Sequence, residues 1–412
     1  MKICFFNRSY WPDQAATGQL LTELAEDLVS RFGWGVTVVA GPALHSSERN
    51  DRHRLRPVHS ESHNGVRILR SASTTFRPAR FAGRVTNYAS YALSAAVASL
   101  QIGRPDVVVA MTDPPIIGRL AIAAARRTGA RFVFLCEDVF PEVAQLLDHF
   151  DHPLISRSLD QLNRMLLREA HVTVAIGERM RDRLVDEKGA DPARVHVIHN
   201  WADCEAIRPG EKDNAFSRAH GLADKFVLMH SGNVGMSQNL GVLIDAATRL
   251  RSDARIVIAI VGDGALRERL EAVVLERKLA NVRFFPYQPK ELLHQSFATA
   301  DAFLVSLKPG VEGYIVPSKL YGILAAGRPY VAAVDSSCEV ARLAVEYRCG
   351  LPATPGDADA LAAAVRELAA DPKRARQMGD NARELAFRFD RRAAVLAYHD
   401  LFLRLASLDD AA

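Results

Sequence analysis

Several things are scarce in this chain of 412 residues, and each scarcity removes a class of function. Cysteine is sparse: Cys4, Cys136, Cys204, Cys338 and Cys349 are odd in number and lack metal-ligand spacing, so free thiols of a reducing compartment are expected. Charge of one sign is also lacking. A net charge of +4 gives no bulk electrostatic case for nucleic-acid binding. No apolar run reaches the roughly 18 residues that a membrane-spanning helix needs. Neither major strand-to-helix turn carries Gly-x-Gly-x-x-Gly, which argues against an NAD-dependent dehydrogenase. Asp357-Ala358-Asp359 has the spacing of a metal-binding Asp-x-Asp, but it falls at a helix start late in the chain, where capping explains it better. No metal and no cofactor are therefore expected. The chain opens at once on a strand pattern, Lys2–Phe6, so no signal peptide is expected and the protein is read as cytoplasmic, with a membrane surface still open to it.

What is present is a globular composition, 49% apolar and 24% charged, with length for two cores of about 200 residues each. Short buried-strand patterns alternate with amphipathic stretches. In the first half they are Lys2–Phe6, Gly35–Ala40, Val66–Leu69, Asp106–Ala110, Arg131–Cys136, Val172–Ala175 and Val195–Ile198. In the second they are Phe226–His230, Arg255–Val261, Val282–Phe285, Ala302–Val305 and Tyr330–Val334. The alternation predicts an α/β protein of two doubly wound, Rossmann-like domains facing across a cleft. The boundaries read 1–203 for the first domain, 204–385 for the second and 386–412 for a terminal helix suited to packing across the boundary. Ala43–Asn64, rich in His, Arg and Ser, reads as an exposed loop; Arg77, Arg80 and Arg84 then lead into an amphipathic helix that could hold an anionic membrane surface.

Ligands of doubly wound folds bind at the carboxyl ends of strands, and four strand ends carry chemistry. After the first strand, Thr17 and Gly18 stand at a helix entrance, where a glycine permits close approach by a ligand. After Phe226–His230, the segment Ser231-Gly232-Asn233-Val234-Gly235 offers free backbone donors to a diphosphate, and Gly262 and Gly264 suit the wall of a nucleotide pocket. Cys136-Glu137-Asp138 ends a first-domain strand with carboxylates that can orient or deprotonate a hydroxyl, Asp138 ahead of Glu137; Thr112-Asp113 lines the same cleft. Ile315-Val316-Pro317-Ser318-Lys319-Leu320-Tyr321 reads as a strand-like run handing over to a helix, with Ser318 as N-cap and Lys319 in the first turn. A cation there opposes the helix dipole, so an anionic ligand is the reason to expect it.

Taken in order, Tyr10-Trp11-Pro12-Asp13 with Thr17-Gly18, Asp138 with Pro141-Glu142, His199-Asn200-Trp201-Ala202-Asp203, Ser231–Gly235, Val261–Gly264 and Pro317-Ser318-Lys319 with Ala325-Ala326-Gly327-Arg328-Pro329 resemble the retaining, GT-B-fold glycosyltransferases of family 4. The branch most like it assembles bacterial extracellular polysaccharide, capsule and O-antigen. The resemblance implies a nucleotide-sugar donor, UDP by family habit and of hexosyl or N-acetylhexosaminyl type, held mainly by the second domain. It implies an acceptor glycan, polyprenyl-diphosphate-linked, held by the first, and transfer with retention and without metal. Glu312, Ser318 and Tyr321 join the donor side on the same grounds. Two features depart from the family pattern. Asn233 and Gln238 stand where many members have Arg and Lys, leaving Lys319 to meet the donor's charge, and Gly322 stands where the second of two glutamates usually holds the ribose. Two rivals stay open: a nucleotide-sugar 2-epimerase on the same architecture, and a nucleotide-sugar binding protein without catalysis.

Overall fold

The computed structural model describes residues 1–13, 15–42, 57–76, 81–148 and 152–407, apart from the side chains of 81, 82 and 84. Two sheets organise it. The first contains β1 (Lys2–Phe6), β2 (Gly35–Ala40), β3 (Val58–His63), β4 (Val66–Ser71), β5 (Val107–Ala110), β6 (Arg131–Cys136), β7 (Val172–Ala175) and β8 (Val195–Val197). The second contains β9 (Phe226–Ser231), β10 (Ile256–Val261), β11 (Val282–Phe285), β12 (Ala302–Ser306), β13 (Tyr330–Ala333) and β14 (Gly350–Ala353). Their orders are β3-β4-β2-β1-β5-β6-β7-β8 and β11-β10-β9-β12-β13-β14. All pairs are parallel except β3 with β4.

The central strands read as continuous apolar runs because helices cover both faces; β5, β7 and β10 are buried at every position. In each sheet the chain starts in the middle, winds to one side, then returns and winds to the other. The reversal falls between β1 and β5 in one sheet and between β9 and β12 in the other. Loops leaving neighbouring strands part there, and the crevice between them is where a doubly wound sheet takes a ligand.

Four expectations need correction. The stretch Ala43–Asn64 is not all loop: 43–56 lies outside the described residues, but Val58–His63 pairs antiparallel with β4. An edge strand with alternating exposure tolerates the polar composition that disguised it. β14 went unread because of Pro352, which an edge strand accommodates. The terminal helix is interrupted: Pro372–Ala386 is followed by a turn at Phe387–Phe389 and then by Arg391–Ser407. Finally, Ile315–Pro317 is no sheet strand. β12 ends at Ser306, and a long loop runs across the cleft before helix Lys319–Ala325 begins. Arg77 and Arg80 lie outside the described residues, as does the side chain of Arg84.

The last helix belongs to the first core, where Val395, Tyr398, Leu401 and Phe402 are buried with Phe5 and Trp201. The chain crosses between domains at adjacent points: the Ala202 amide donates to the Phe389 carbonyl (3.1 Å), and the Arg391 amide to that of Ala202 (3.0 Å). The cross-cleft loop ties the far side. The Val139 amide donates to the Tyr314 carbonyl (2.9 Å), Asp138 and Ile315 form an isolated antiparallel bridge, and Lys308 Nζ donates to the Leu146 carbonyl (2.6 Å). Gly313 fits there because its φ is +82° and a Cβ would meet Arg179 Cγ at 2.8 Å.

Candidate active site

At the β9/β12 reversal three loops converge. The loop after β9 begins with Gly232, whose amide donates to the Val261 carbonyl (2.9 Å), and Val234 donates to that of Asp263 (2.9 Å). The loop after β10 lies against it so closely that a Cβ on Gly262, at φ +135°, would stand 2.0 Å from the Gly232 oxygen. Gly264 is equally constrained, by Asn233 and Val234. These glycines let two backbones touch, which builds the floor of the crevice. Gln238 Oε1 accepts from the Gly235 amide (3.0 Å), so this side chain braces the loop. Ser231 is half-buried at its start, and Asn233 is exposed.

Lys319 reaches over this floor. A Cβ placed on Gly232 would lie 3.9 Å from its Cε. Its Nζ is 3.4 Å from both ring nitrogens of His230, which is wholly buried at the end of β9. Burial pulls the Lys319 amine down to about 7. Burial, and then the nearby Lys319, hold His230 well below the ordinary imidazole range, so it is neutral at pH 7. Ser318 stands at the N-cap position in helical conformation, but its side chain makes no capping bond. The helix has only seven residues, so the charge on offer is that of Lys319.

The other second-domain residues are placed variously. Tyr321 is buried, its ring 5.1 Å from that of Phe389. Glu312 is buried too; Oε2 accepts from the Gly310 amide (2.8 Å), bracing the cross-cleft loop, while Oε1 has no partner. At Gly322 a Cβ would lie 3.2 Å from the Phe297 ring, a tight contact that a larger side chain could take up only with a small shift of that ring.

In the first domain the β1/β5 reversal brings Arg8, Ser9 and Asp113 together. Ser9 Oγ donates to Asp113 Oδ2 (2.6 Å), and Arg8 Nε lies 3.4 Å from Oδ1. Asp138, at the end of β6, is half-buried beside them; burial, and then the Asp113 carboxylate, push it up to about 6. Glu137 points inward: Asn200 Nδ2 donates to its Oε2 (3.3 Å), and burial raises it to about 7. Thr17 is half-buried within helix Ala16–Phe32, which starts two residues earlier than Gly18. A Cβ on Gly18 would stand 3.3 Å from Ser9, so the chain's own backbone makes the close approach there. Asp357 accepts from the amides of Asp359 and Ala360 (2.9 Å each) as the cap of helix Ala358–Ala370.

His230 and Arg8 were not singled out from the sequence, whereas Asp113 was read as lining the cleft, where it is found beside Ser9 and Arg8. A polar residue closing the apolar run Phe226–Met229 is the one local signal that marks His230.

Two doubly wound domains, each presenting its strand carboxyl ends to a shared cleft, define the GT-B architecture. HepE of Anabaena, solved with UDP, has the same fold: TM-score 0.73 at 17% identity, covering 98% of this chain and 100% of that one. Family models follow the two sheets. "Glycosyl transferase 4-like domain" matches residues 16–201 and "Glycosyl transferases group 1" matches residues 212–385. The chain belongs to this family of glycosyltransferases. Among curated relatives, one named as glycosyltransferase WbjE of Pseudomonas aeruginosa is 30% identical over 64% of this chain and 66% of its own length. Another, named as colanic acid biosynthesis glycosyl transferase WcaI of Escherichia coli, is 24% identical over 90% of this chain and 93% of its own.

Proposed function

We propose that this glycosyltransferase moves a sugar from a UDP-sugar to a polyprenyl-diphosphate-linked glycan, with retention of configuration, in the synthesis of a cell-surface polysaccharide. The observation that carries the reading is Lys319 standing over the Gly232 loop at the β9/β12 reversal. The donor diphosphate lies over the Ser231–Gly235 loop with Lys319 against its oxygens, the Gly232, Val234 and Gly235 amides being already bonded within the protein, and the wall at Gly262–Gly264 faces the nucleoside. As the glycosidic bond breaks, negative charge collects on the leaving phosphate. A donor already aimed at it contributes about 3–4 kcal/mol. The acceptor hydroxyl approaches the anomeric carbon on the side the phosphate leaves, oriented by Asp138. Glu137 stands behind Asp138, held by Asn200. Lys319 supplies the positive charge, so the reaction runs without metal or cofactor. Domain closure excludes the water that would hydrolyse the donor.

The same reading sets the first domain on the cytoplasmic face of a membrane, where such an acceptor resides. No helix among the described residues is long and apolar enough to cross one. Helix Phe81–Ser99 instead leaves Val85, Leu93 and Val97 exposed, with Leu100 just beyond, at spacings that align them on one face. Incubating the enzyme with UDP-sugars and a polyprenyl-linked acceptor tests the transfer, the product's anomeric configuration reporting retention and EDTA-treated enzyme retaining full rate. A new sugar formed from donor alone would replace transfer with epimerisation, and donor binding without product would leave a binding protein. Co-sedimentation with anionic vesicles tests the surface: Leu93→Glu lowers the bound fraction, and equal binding by the variant removes the membrane from the proposal.

A further inference from the structure

The cross-cleft loop leaves β12 at Ser306 and runs into Lys319, yet the first domain supplies several of the groups that hold it. Tyr314 meets that domain twice. Its carbonyl accepts from the amide of Val139 (2.9 Å), and its hydroxyl donates to Glu187 Oε2 (2.7 Å), just past helix Glu178–Asp186. Arg183 completes the clamp: its guanidinium lies 4.5 Å from the centre of the Tyr314 ring and bonds to Glu187. The residues on either side fit closely as well. Gly313 lies against Arg179, and a Cβ on Gly177 would stand 3.2 Å from a methyl of Val316.

The tie lies between the two charged groups assigned to the reaction. Asp138 directly precedes Val139 and is bridged to Ile315, and only Val316-Pro317-Ser318 separates Ile315 from Lys319. Proline stiffens that short link by fixing one of its torsions. A shift of Tyr314 away from helix Glu178–Asp186 therefore changes how the acceptor carboxylate and the donor cation stand to each other. The hydroxyl bond joins residues 127 positions apart in different domains. It completes neither core; it stabilises the approach of one domain to the other, and a bond to a carboxylate is among the stronger ones.

We infer that Tyr314 is a positioning residue that couples the two halves of the site: tied to Glu187 and Val139, it holds the cross-cleft loop so that Lys319 stands over the Gly232–Gly235 loop with Asp138 fixed across the cleft. The inference rests on the donor site described above. The tied form presents a preorganised cation and binds a nucleoside diphosphate more tightly than the untied form. By linkage, a bound diphosphate makes untying rarer by the same factor. The Val139 amide reports untying, because its partner is the Tyr314 carbonyl.

The experiment is hydrogen–deuterium exchange read at the Val139 amide, with UDP as the probe and calorimetry giving its Kd. In the wild-type enzyme saturating UDP slows that exchange about tenfold. Tyr314→Phe keeps the ring beside Arg183 and loses the hydroxyl bond. Without UDP it exchanges about tenfold faster than wild type, while its Kd stays within about a factor of two because the tied form still predominates. Glu187→Ala behaves alike, and the double variant is no faster than Glu187→Ala alone. Glu187→Gln keeps an oxygen for the hydroxyl and stays within about threefold of wild type. Wild-type exchange that UDP leaves unchanged overturns the proposal, with no variant needed. So does a Phe variant exchanging at the wild-type rate, or a Gln variant as fast as Ala, which would trace the effect to the charge of Glu187 and not to the Tyr314 bond. Failure of the wild-type enzyme to bind UDP in the calorimeter is a different result, and it removes the donor site itself.

Discussion

The carboxyl ends of β1 and β9 occupy the same station in two sheets wound alike, yet the chemistry around them is opposite. The first domain gathers carboxylates: Asp113, Asp138 and, one layer in, Glu137. The second offers Lys319 and His230 beside the Gly232–Gly235 loop, whose amides at Gly232, Val234 and Gly235 are already bonded within the protein. Burial acts in opposite senses on the two sides, lifting Asp138 and Glu137 and depressing Lys319 and His230. Asp138 is pushed up to about 6 and Glu137 to about 7, while Lys319 is brought down to about 7. Winding supplies position, and side chains supply the sign.

The largest expected break in this contrast is Lys319→Met. It should lower turnover by about 100-fold or more with an unchanged circular dichroism spectrum, since one donor to a developing charge is worth that much. Wild-type turnover would leave the second domain without its charge. Next is Asp138→Asn, expected to cut kcat by roughly 100-fold while UDP affinity stays within about a factor of two. In the wild type kcat/KM should fall as pH drops through about 6, because the carboxylate acquires its proton. The Asn variant should lose that limb, and a limb that persists would assign it to another group.

Glu137→Gln should be milder, costing less than about tenfold in turnover, since Glu137 stands behind Asp138. Its clearer signature is stability. Folding raises this carboxyl from 4.5 to about 7, so the folded form binds more protons across that window. Stability therefore declines as pH rises from about 4.5 to 7, and the Gln variant should flatten Tm over that range. The mirror image on stability lies at Lys319. There the folded form binds fewer protons between about 7 and 10.5, so stability rises with pH across that interval. Lys319→Met should remove that slope; a variant whose Tm tracks the wild type would show the amine to be better solvated than its surroundings imply.

Most of the architecture could be read from the sequence because parallel strands covered on both faces become unbroken apolar runs, as in Ile256–Val261 and Val107–Ala110. What escaped reading lies where one face meets solvent or a breaker is tolerated: β3 with its alternating polar residues, β14 with Pro352, and the turn at Phe387 between two helices. The cross-cleft loop was misread for a physical reason. Ile315 and Val316 look like strand residues, yet Val316 packs on the core of the facing domain and Ile315 on that of its own, with an isolated bridge in place of a sheet. Lys319 was visible through its place in a helix start, where a cation needs justification. Its partner was not: His230 lies 89 positions away, and no local pattern joins them. Nor could the sequence reveal that Phe297 packs tightly against Gly322, or that Gly18 serves contact with Ser9.

The paired bonds between Ala202 and residues 389 and 391 bear on ancestry and engineering as well as on motion. Because the chain leaves the front half and re-enters it at neighbouring points, everything from about 203 to 389 amounts to a cassette spliced into a host that closes up around the final helix. A protein cut after residue 385, where the second family match stops, would forfeit the helix that completes the front half. Fusing residue 202 to residue 390 through a short spacer would instead restore that half as a freestanding unit, giving a route to studying acceptor recognition with the donor module removed.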